Sequence, residues 1–251
     1  MKISGNTILI TGGATGIGCA LAESFANAGN NVIVCGRRRS KLREAKRSLP
    51  ALHIKRCDVS VESERRSLLH WVAKEFPELN ILVNNAGIQR EIDFTSKTGT
   101  KTPKPKDDEV TINLSAPIRL CALFTPKLLK KKEAAIVNIS SGLAFVPMAN
   151  TLIYCATKAA IHSFTVSLRH QLRGTSIRVF EAVPPTTDTE LDKSFAGEEE
   201  QAYRGISARE VATAVVKGIE NDNYQILIGQ AQRLYQESLR DPAAIFSRLN
   251  D

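Results

Sequence analysis

Short apolar runs alternate with longer helical stretches along the whole chain, and this alternation restricts the fold more than any other feature. The candidate strands are Thr7–Ile10, Asn31–Cys35, Leu52–Lys55, Ile81–Val83, Ala135–Ile139, Ile177–Phe180 and Gln225–Ile228. Most are unbroken rather than alternating apolar and polar, as expected of strands covered on both faces in a parallel sheet. Helical patterns fill the intervals near Gly18–Ala28, Lys41–Ser48, Glu62–Lys74, Val110–Leu129, Ile153–Leu172 and Ala208–Glu220. The sequence therefore predicts an α/β, doubly wound Rossmann fold with a parallel seven-stranded sheet and helices on both faces. No internal repeat or low-complexity linker divides it, so residues 1–251 are expected to form one domain.

Composition narrows the function classes. With 251 residues, 43% hydrophobic and 24% charged, the chain is not disordered, collagen-like or a coiled coil, and it can bury a core without covalent staples. The net charge of +8 suits either an anionic partner or a solvated surface. Interspersed charges favour the surface, although Arg37-Arg38-Arg39 with Lys41, and Lys130-Lys131-Lys132, are locally dense. Aromatic residues make up only 6% and no helix is uniformly basic, which argues against nucleic acid. Cysteines 19, 35, 57, 121 and 155 are odd in number and form no CxxC pair, and the four histidines show no metal spacing. Reduced, mostly buried thiols in a cytoplasmic protein are expected, with no metal. The N-terminal residues read as neither signal peptide nor membrane span, and no membrane partner is expected.

Two features suggest a phosphate site. The run from Ile8 to Gly18 (ILITGGATGIG) lies between the first strand and the first helix. Gly12, Gly16 and Gly18 permit a tight turn and close approach of backbone to ligand, and the helix start aims unpaired N–H groups at the same spot. Its spacing is neither the G-x-G-x-x-G fingerprint nor a P-loop, and a glycine turn used only for packing is the alternative. About 20 residues on, where a dinucleotide fold offers an acid to the NAD ribose or an arginine to the NADP 2′-phosphate, stand Gly36 and Arg37. A guanidinium grips a phosphate where a carboxylate repels it, so NADP is preferred and NAD remains possible.

Further along come Asn84-Asn85-Ala86-Gly87, Asn113, Ser140-Ser141 and Tyr154-x-x-x-Lys158. On a helix, Tyr154 and Lys158 share a face one turn apart, and an ammonium nearby favours the phenolate. Together with Thr11-Gly12-x-x-x-Gly16-x-Gly18 and Asp58, these motifs resemble the classical short-chain dehydrogenase/reductase family in order and spacing, from Thr7 to about Thr189 and more loosely to Gly229. The chain also resembles the branch of oxidoreductases associated with teichoic-acid D-alanylation gene clusters.

The resemblance implies an enzyme that interconverts a small-molecule carbonyl and alcohol. Tyr154 would be the acid–base, Ser141 the donor to the substrate oxygen, and Lys158 the group that tunes Tyr154 and binds the nicotinamide ribose. Asn113 would hold a water in the proton relay. Gly12, Thr15, Gly16, Ile17 and Gly18 would cradle the pyrophosphate, Asp58 and Val59 would meet the adenine, and Asn85, Ala86 and Gly87 would line the cofactor. Pro184 and Thr187 would flank the nicotinamide. Each has a plainer reading: Asp58 as a helix cap, Asn113 satisfying backbone groups, Asn85 bracing strands. A catalytically idle dinucleotide-binding regulator or scaffold is the alternative function.

Departures from the family pattern matter as well. Pro184-Pro185 stands where Pro-Gly is usual, which implies a different or stiffer loop path. Thr15 replaces a common basic residue of NADP-binding members. Ser96–Asp108, with two prolines and four lysines, reads as an exposed loop, and Thr186–Gly205 as a substrate-entry excursion. An apolar substrate cavity is expected from Leu143, Phe145, Val146 and Ile153, and the stretch around Pro242 is expected to cover its mouth or a neighbour. In the family the helices near 110–129 and 153–172 pair subunits into homodimers or homotetramers, and Ile161, Phe164 and Val166 are candidate contacts.

Overall fold

The computed structural model describes residues 1–95, 108–189, 191 and 205–251; most of the expected loop (96–107) and excursion (190 and 192–204) lie outside them. All seven expected strands are present: β1 Thr7–Thr11, β2 Asn31–Gly36, β3 His53–Arg56, β4 Leu79–Asn84, β5 Ala134–Ile139 and β6 Ile177–Val183, then β9 Gln225–Leu227 at the edge. They form one sheet in the order β3-β2-β1-β4-β5-β6-β9, with every pair parallel. Between β6 and β9, β7 (Thr187–Asp188) and β8 (Ile206–Ser207) make a separate two-residue parallel ladder.

Alternate side chains of each strand enter different cores, which is why the strands read as continuous apolar runs. Ile8, Ile10, Val83 and Phe180 pack under helices α1 (Gly16–Asn27) and α6 (Ala208–Glu220), while Leu9, Leu82, Ile136 and Val179 face the opposite layer. That layer receives Leu68 and Val72 of α3 (Glu62–Glu75) and Leu120 and Phe124 of α4 (Ala116–Leu128). Helix α2 (Arg39–Ser48) buries Leu42 and Ala45 against the first core. Helix α5 (Leu152–Gln171) packs across β5 and β6.

Strand order reverses beside β1, since the chain runs outward through β2 and β3 and then returns to place β4 on the other side. The carboxyl ends of β1 and β4 part there and open a crevice.

Two elements differ from expectation. The helix expected over 110–129 begins as a π turn, Val110–Ser115, before becoming α4. Pro117 offers no N–H to the Asn113 carbonyl four residues earlier, so regular α pairing fails at that place. The C-terminal stretch forms two helices, α7 (Gln230–Arg240) and α8 (Pro242–Asn250); Pro242 starts the second rather than breaking a longer one, and the Asp241 carboxylate caps it by accepting from the Ala244 N–H at 3.0 Å. No helix among the described residues is long and apolar enough to cross a membrane.

Phe124 is fully buried where α4 meets the sheet. Phe124→Ala is expected to lower the unfolding free energy by about 3–5 kcal/mol, read as a reduced urea midpoint at unchanged slope.

Candidate active site

The glycine turn sits at the head of the crevice. Gly12 and Gly16 have φ of +64° and +54°, in the left-handed region that disfavours side chains. Helix α1 begins at Gly16 with no side-chain cap on its N-terminus and no acidic residue in its first turn. An uncapped helix end lined by Gly16 and Ile17 fits a bound pyrophosphate. Gly18 has another role. A Cβ there would stand 2.4 Å from both the Gly12 carbonyl oxygen and Asn85 Nδ2, so this glycine lets α1 pack against the turn and does not line the cleft.

Thr11 and Asn85 lock β1 to β4. The Thr11 hydroxyl accepts from the Asn85 and Ala86 N–H groups at 3.0 and 3.1 Å, and Asn85 Nδ2 donates to the Thr11 carbonyl at 3.0 Å. The Asn85 side chain is therefore a brace, while Asn85, Ala86 and Gly87 together line the cleft.

That cleft holds about 370 Å³. At one end stand Arg37, Arg38, Asp58 and Val59, and at the other Tyr154, Lys158 and Pro184. Arg38 donates to the Thr15 hydroxyl at 3.3 Å, which brings a second guanidinium over the cradle. Asp58 does not cap α3, whose N-cap position is Val61; its Oδ1 accepts from the N–H and hydroxyl of Ser60 at 3.0 and 2.6 Å and closes the preceding turn.

Tyr154 and Lys158 both emerge from α5 and are 7% and 5% exposed. Lys158 Nζ donates to the Ile139 carbonyl at 2.9 Å and lies 5.4 Å from the centre of the Tyr154 ring. Burial pushes the Lys158 amine down to about 8, and the Glu181 carboxylate opposes that fall. Ser141, two residues past β5, accepts from the Leu143 N–H at 3.2 Å and caps a 3₁₀ turn, Gly142–Ala144. Asn113 is 3% exposed and lines neither cavity; it bonds both backbone groups of Ile88, at 2.9 and 2.8 Å, and donates to Thr157 at 3.2 Å. A Cβ on Gly87 would lie 3.4 Å from Asn113 Oδ1 and 3.8 Å from Lys158 Nζ, so these three residues meet at one point.

A second cavity of about 300 Å³ adjoins the cleft. Ser141, Gly142, Leu143, Pro185 and Thr187 contribute to it, and Tyr154, Pro184, Thr189 and Leu191 border both spaces. Thr187 thus lies on this side and not in the first cleft; its hydroxyl donates to the Pro185 carbonyl at 2.8 Å. Ile153 is absent from the lining, and Val146 packs instead with Leu234 and Ile245. Gln230 and Leu234 of α7 and Leu249 of α8 close the mouth, so the C-terminal stretch covers its own chain. The sequence reading did not assign Arg38, Cys57 or Ser140 to the cleft; Thr189, a candidate for the nicotinamide carboxamide beside Thr187, does line it. Arg38 is adjacent to Arg37 and had a basic signal; Cys57, at the end of β3, had none.

Lys158 should make stability depend on alkaline pH. Its folded-state value near 8 lies below the ordinary 10.5, so the unfolded chain binds more protons between those values and stability rises with pH there. Below about 8 both states are protonated and the burial cost is fully present. Urea unfolding of Lys158→Met should show the variant more stable than the parent near neutral pH, with the gap shrinking as pH rises towards 10.5.

Residues 6–200 match the family model described as short chain dehydrogenase. The chain is 47% identical over 250 residues, covering 100% of itself and 98% of its relative, to a Bacillus subtilis (strain 168) protein named "Uncharacterized oxidoreductase DltE". A short chain dehydrogenase/reductase from Burkholderia phymatum, solved in complex with NAD, superposes with a TM-score of 0.83 over 100% of this chain and 97% of that one; at 21% identity this is a likeness of fold. A short-chain dehydrogenase from Sphingobium yanoikuyae, solved in complex with NADPH, gives a TM-score of 0.80 at 26% identity over 94% of this chain and 93% of that one. The chain belongs to the short-chain dehydrogenase/reductase family, oxidoreductases that act on CH–OH or C=O groups with NAD(P).

Proposed function

We propose that residues 1–251 act as one NADP(H)-dependent oxidoreductase unit that interconverts a carbonyl and an alcohol on a small molecule. One observation carries this reading: Tyr154 borders both cavities, with Lys158 behind it in the dinucleotide cleft and Ser141 in the neighbouring space. Bound NADP(H) supplies or accepts the hydride. Tyr154 gives a proton to the carbonyl oxygen in reduction and takes the hydroxyl proton in oxidation. The Ser141 hydroxyl accepts from Leu143, which leaves its own O–H to donate to the same oxygen. Lys158, held by the Ile139 carbonyl, favours the Tyr154 phenolate and reaches the nicotinamide ribose. Asn113 braces Ile88 and holds a water in the proton relay.

Gly12, Thr15, Gly16 and Ile17 hold the pyrophosphate, and Gly18 permits their packing. Asp58 and Val59 meet the adenine, Asn85, Ala86 and Gly87 form the wall of the cleft, and Pro184 and Thr187 flank the nicotinamide side. Relatives of this fold are solved with NAD and with NADPH, so the preference for NADP rests on Arg37 and Arg38. Two guanidiniums and no acid at the end of β2 suit a 2′-phosphate. The five free thiols support a reducing, cytoplasmic setting. Assembly into a homodimer or homotetramer would use α4 and α5, where Val166 is 45% exposed; Ile161, at 2%, packs within its own chain.

Fluorescence titration is expected to give tighter binding of NADPH than of NADH. The double variant Arg37→Ser, Arg38→Ser should weaken NADPH by about 100-fold through lost charge-assisted bonds and change NADH little. Across a panel of aldehydes, Tyr154→Phe should lower kcat by about 10²–10⁴-fold while NADPH still binds. Failure to bind either nucleotide would sink the reading. Nucleotide binding with no turnover of any carbonyl or alcohol would favour an idle regulator.

A further inference from the structure

We propose that Glu181, a carboxylate sealed under the active site and clamped by His162, is a positioning residue that supplies the fixed counter-charge of Lys158. The proposal rests on the reading of Tyr154 and Lys158 as an acid–base pair. It extends that pair to a group the mechanism above does not use.

Tyr154, Lys158 and His162 follow one another at intervals of four along α5 and so share one face of the helix. The first two border the dinucleotide cleft, and the third turns against β6. There His162 Nδ1 lies 2.8 and 3.0 Å from the two oxygens of Glu181. The Glu181 side chain is 0% exposed and that of His162 27%, so the imidazole closes the carboxylate off from water. The Phe145 ring packs edge-on against the imidazole, 4.9 Å between centres, and fixes its orientation.

Glu181 also completes a polar row across three neighbouring strands of the sheet. Asn84 of β4 pairs in register with Asn138 of β5, and Asn138 with Glu181 of β6. Side chains in register point to the same face, here the face that carries α5. Asn84 Nδ2 donates to Asn138 Oδ1 at 2.8 Å, and Asn138 Nδ2 to the Thr165 hydroxyl at 2.9 Å. The two asparagines spend these donors on each other and on α5, so Glu181 turns to His162.

Burying a carboxylate is costly unless cations and donors surround it. From α5, the groups facing it are Lys158, His162 and Arg169, whose Nε donates to the Val179 carbonyl at 2.7 Å. Tyr224, stacked on Phe180 with centres 5.2 Å apart, stands between Arg169 and the β9 edge. The register partners of Glu181 on β5 and β9 are Asn138 and Gln225, neither of which titrates. Lys158 has lost its water, and a lone buried ammonium releases its proton readily. The Glu181 charge opposes that release, so the ammonium beside Tyr154 persists to higher pH.

The test reads the amine directly and needs neither substrate nor nucleotide. The full chain, labelled with [¹³C,¹⁵N]lysine, is titrated by NMR, with the Lys158 signal assigned by its loss in Lys158→Arg. Glu181→Gln is expected to lower the Lys158 midpoint by about one pH unit. His162→Leu should lower it in the same direction, and His162→Asn, which keeps a side-chain donor to the carboxylate, should restore most of the shift. A purely structural role would lower stability and leave the midpoint in place. An unchanged midpoint in Glu181→Gln overturns the proposal. If that variant does not fold, His162→Leu decides in the same way, a fall supporting and an unchanged midpoint refuting. A fall in the midpoint alongside failed nucleotide binding would sink the functional reading alone; nucleotide binding and Tyr154-dependent turnover with no fall would sink this inference alone.

Discussion

A lysine ammonium enclosed almost wholly by protein is the constraint on which the site depends. Water no longer solvates Lys158, so everything that keeps it in place must come from the fold: the Ile139 carbonyl at the end of β5, the ring of Tyr154 one helical turn away, and the field of Glu181 from β6. Each belongs to a different element, and each element is fixed by the parallel sheet and the helix across it. The arrangement works only if β5, β6 and α5 hold their places; the buried contacts between Asn84, Asn138 and Thr165 tie β5 to β4 and α5, and the His162–Glu181 contact ties α5 to β6. Polar groups inside the sheet therefore belong to the chemistry of the crevice as well as to the stability of the fold.

Much of this was legible in the sequence because the signals were local. Continuous apolar runs marked strands covered on both faces, and all seven formed. The glycine turn and the Tyr154–Lys158 spacing marked the head of the crevice and one end of the cleft, since both depend on residues within one or two turns of each other. Other features depend on residues far apart in the chain. Gly18 reads as a phosphate contact, yet its lack of a side chain is needed because Asn85, just past β4, packs against it. Asp58 before a helix reads as a cap, but the helix begins later and the carboxylate turns to Ser60. The irregular start of α4 had a local cause in Pro117, although apolar periodicity alone hides it. His162 and Glu181 lie on separate elements, and no pattern within either one announces their contact.

The substrate side was the least legible part for the same reason. Its wall comes from the 3₁₀ turn after β5, from the chain after β6, and from α7 and α8 near the C-terminus. Leu143 was expected there and is found there, while Ile153 and Val146 turn elsewhere. Asn250 ties the last helix down by accepting from the Ala149 N–H at 2.6 Å and donating to the Pro147 carbonyl at 3.1 Å. These bonds span about a hundred residues, so the shape of the mouth is a tertiary property of the chain.

The proline pair shows how backbone chemistry completes what electrostatics begins. Pro184 and Pro185 offer no N–H groups, and the chain compensates through their carbonyls. Gly142 donates to the first at 3.1 Å and the Thr187 hydroxyl to the second at 2.8 Å. Thr187 and Asp188 then pair with Ile206 and Ser207 in a short parallel ladder. Gly205 makes that pairing possible, because a Cβ there would stand 2.2 Å from the Thr186 carbonyl oxygen. Both cavities share this corner through Pro184, Thr189 and Leu191. The proline doublet and the short ladder therefore lie where the dinucleotide cleft meets the neighbouring space, and Tyr154 borders both.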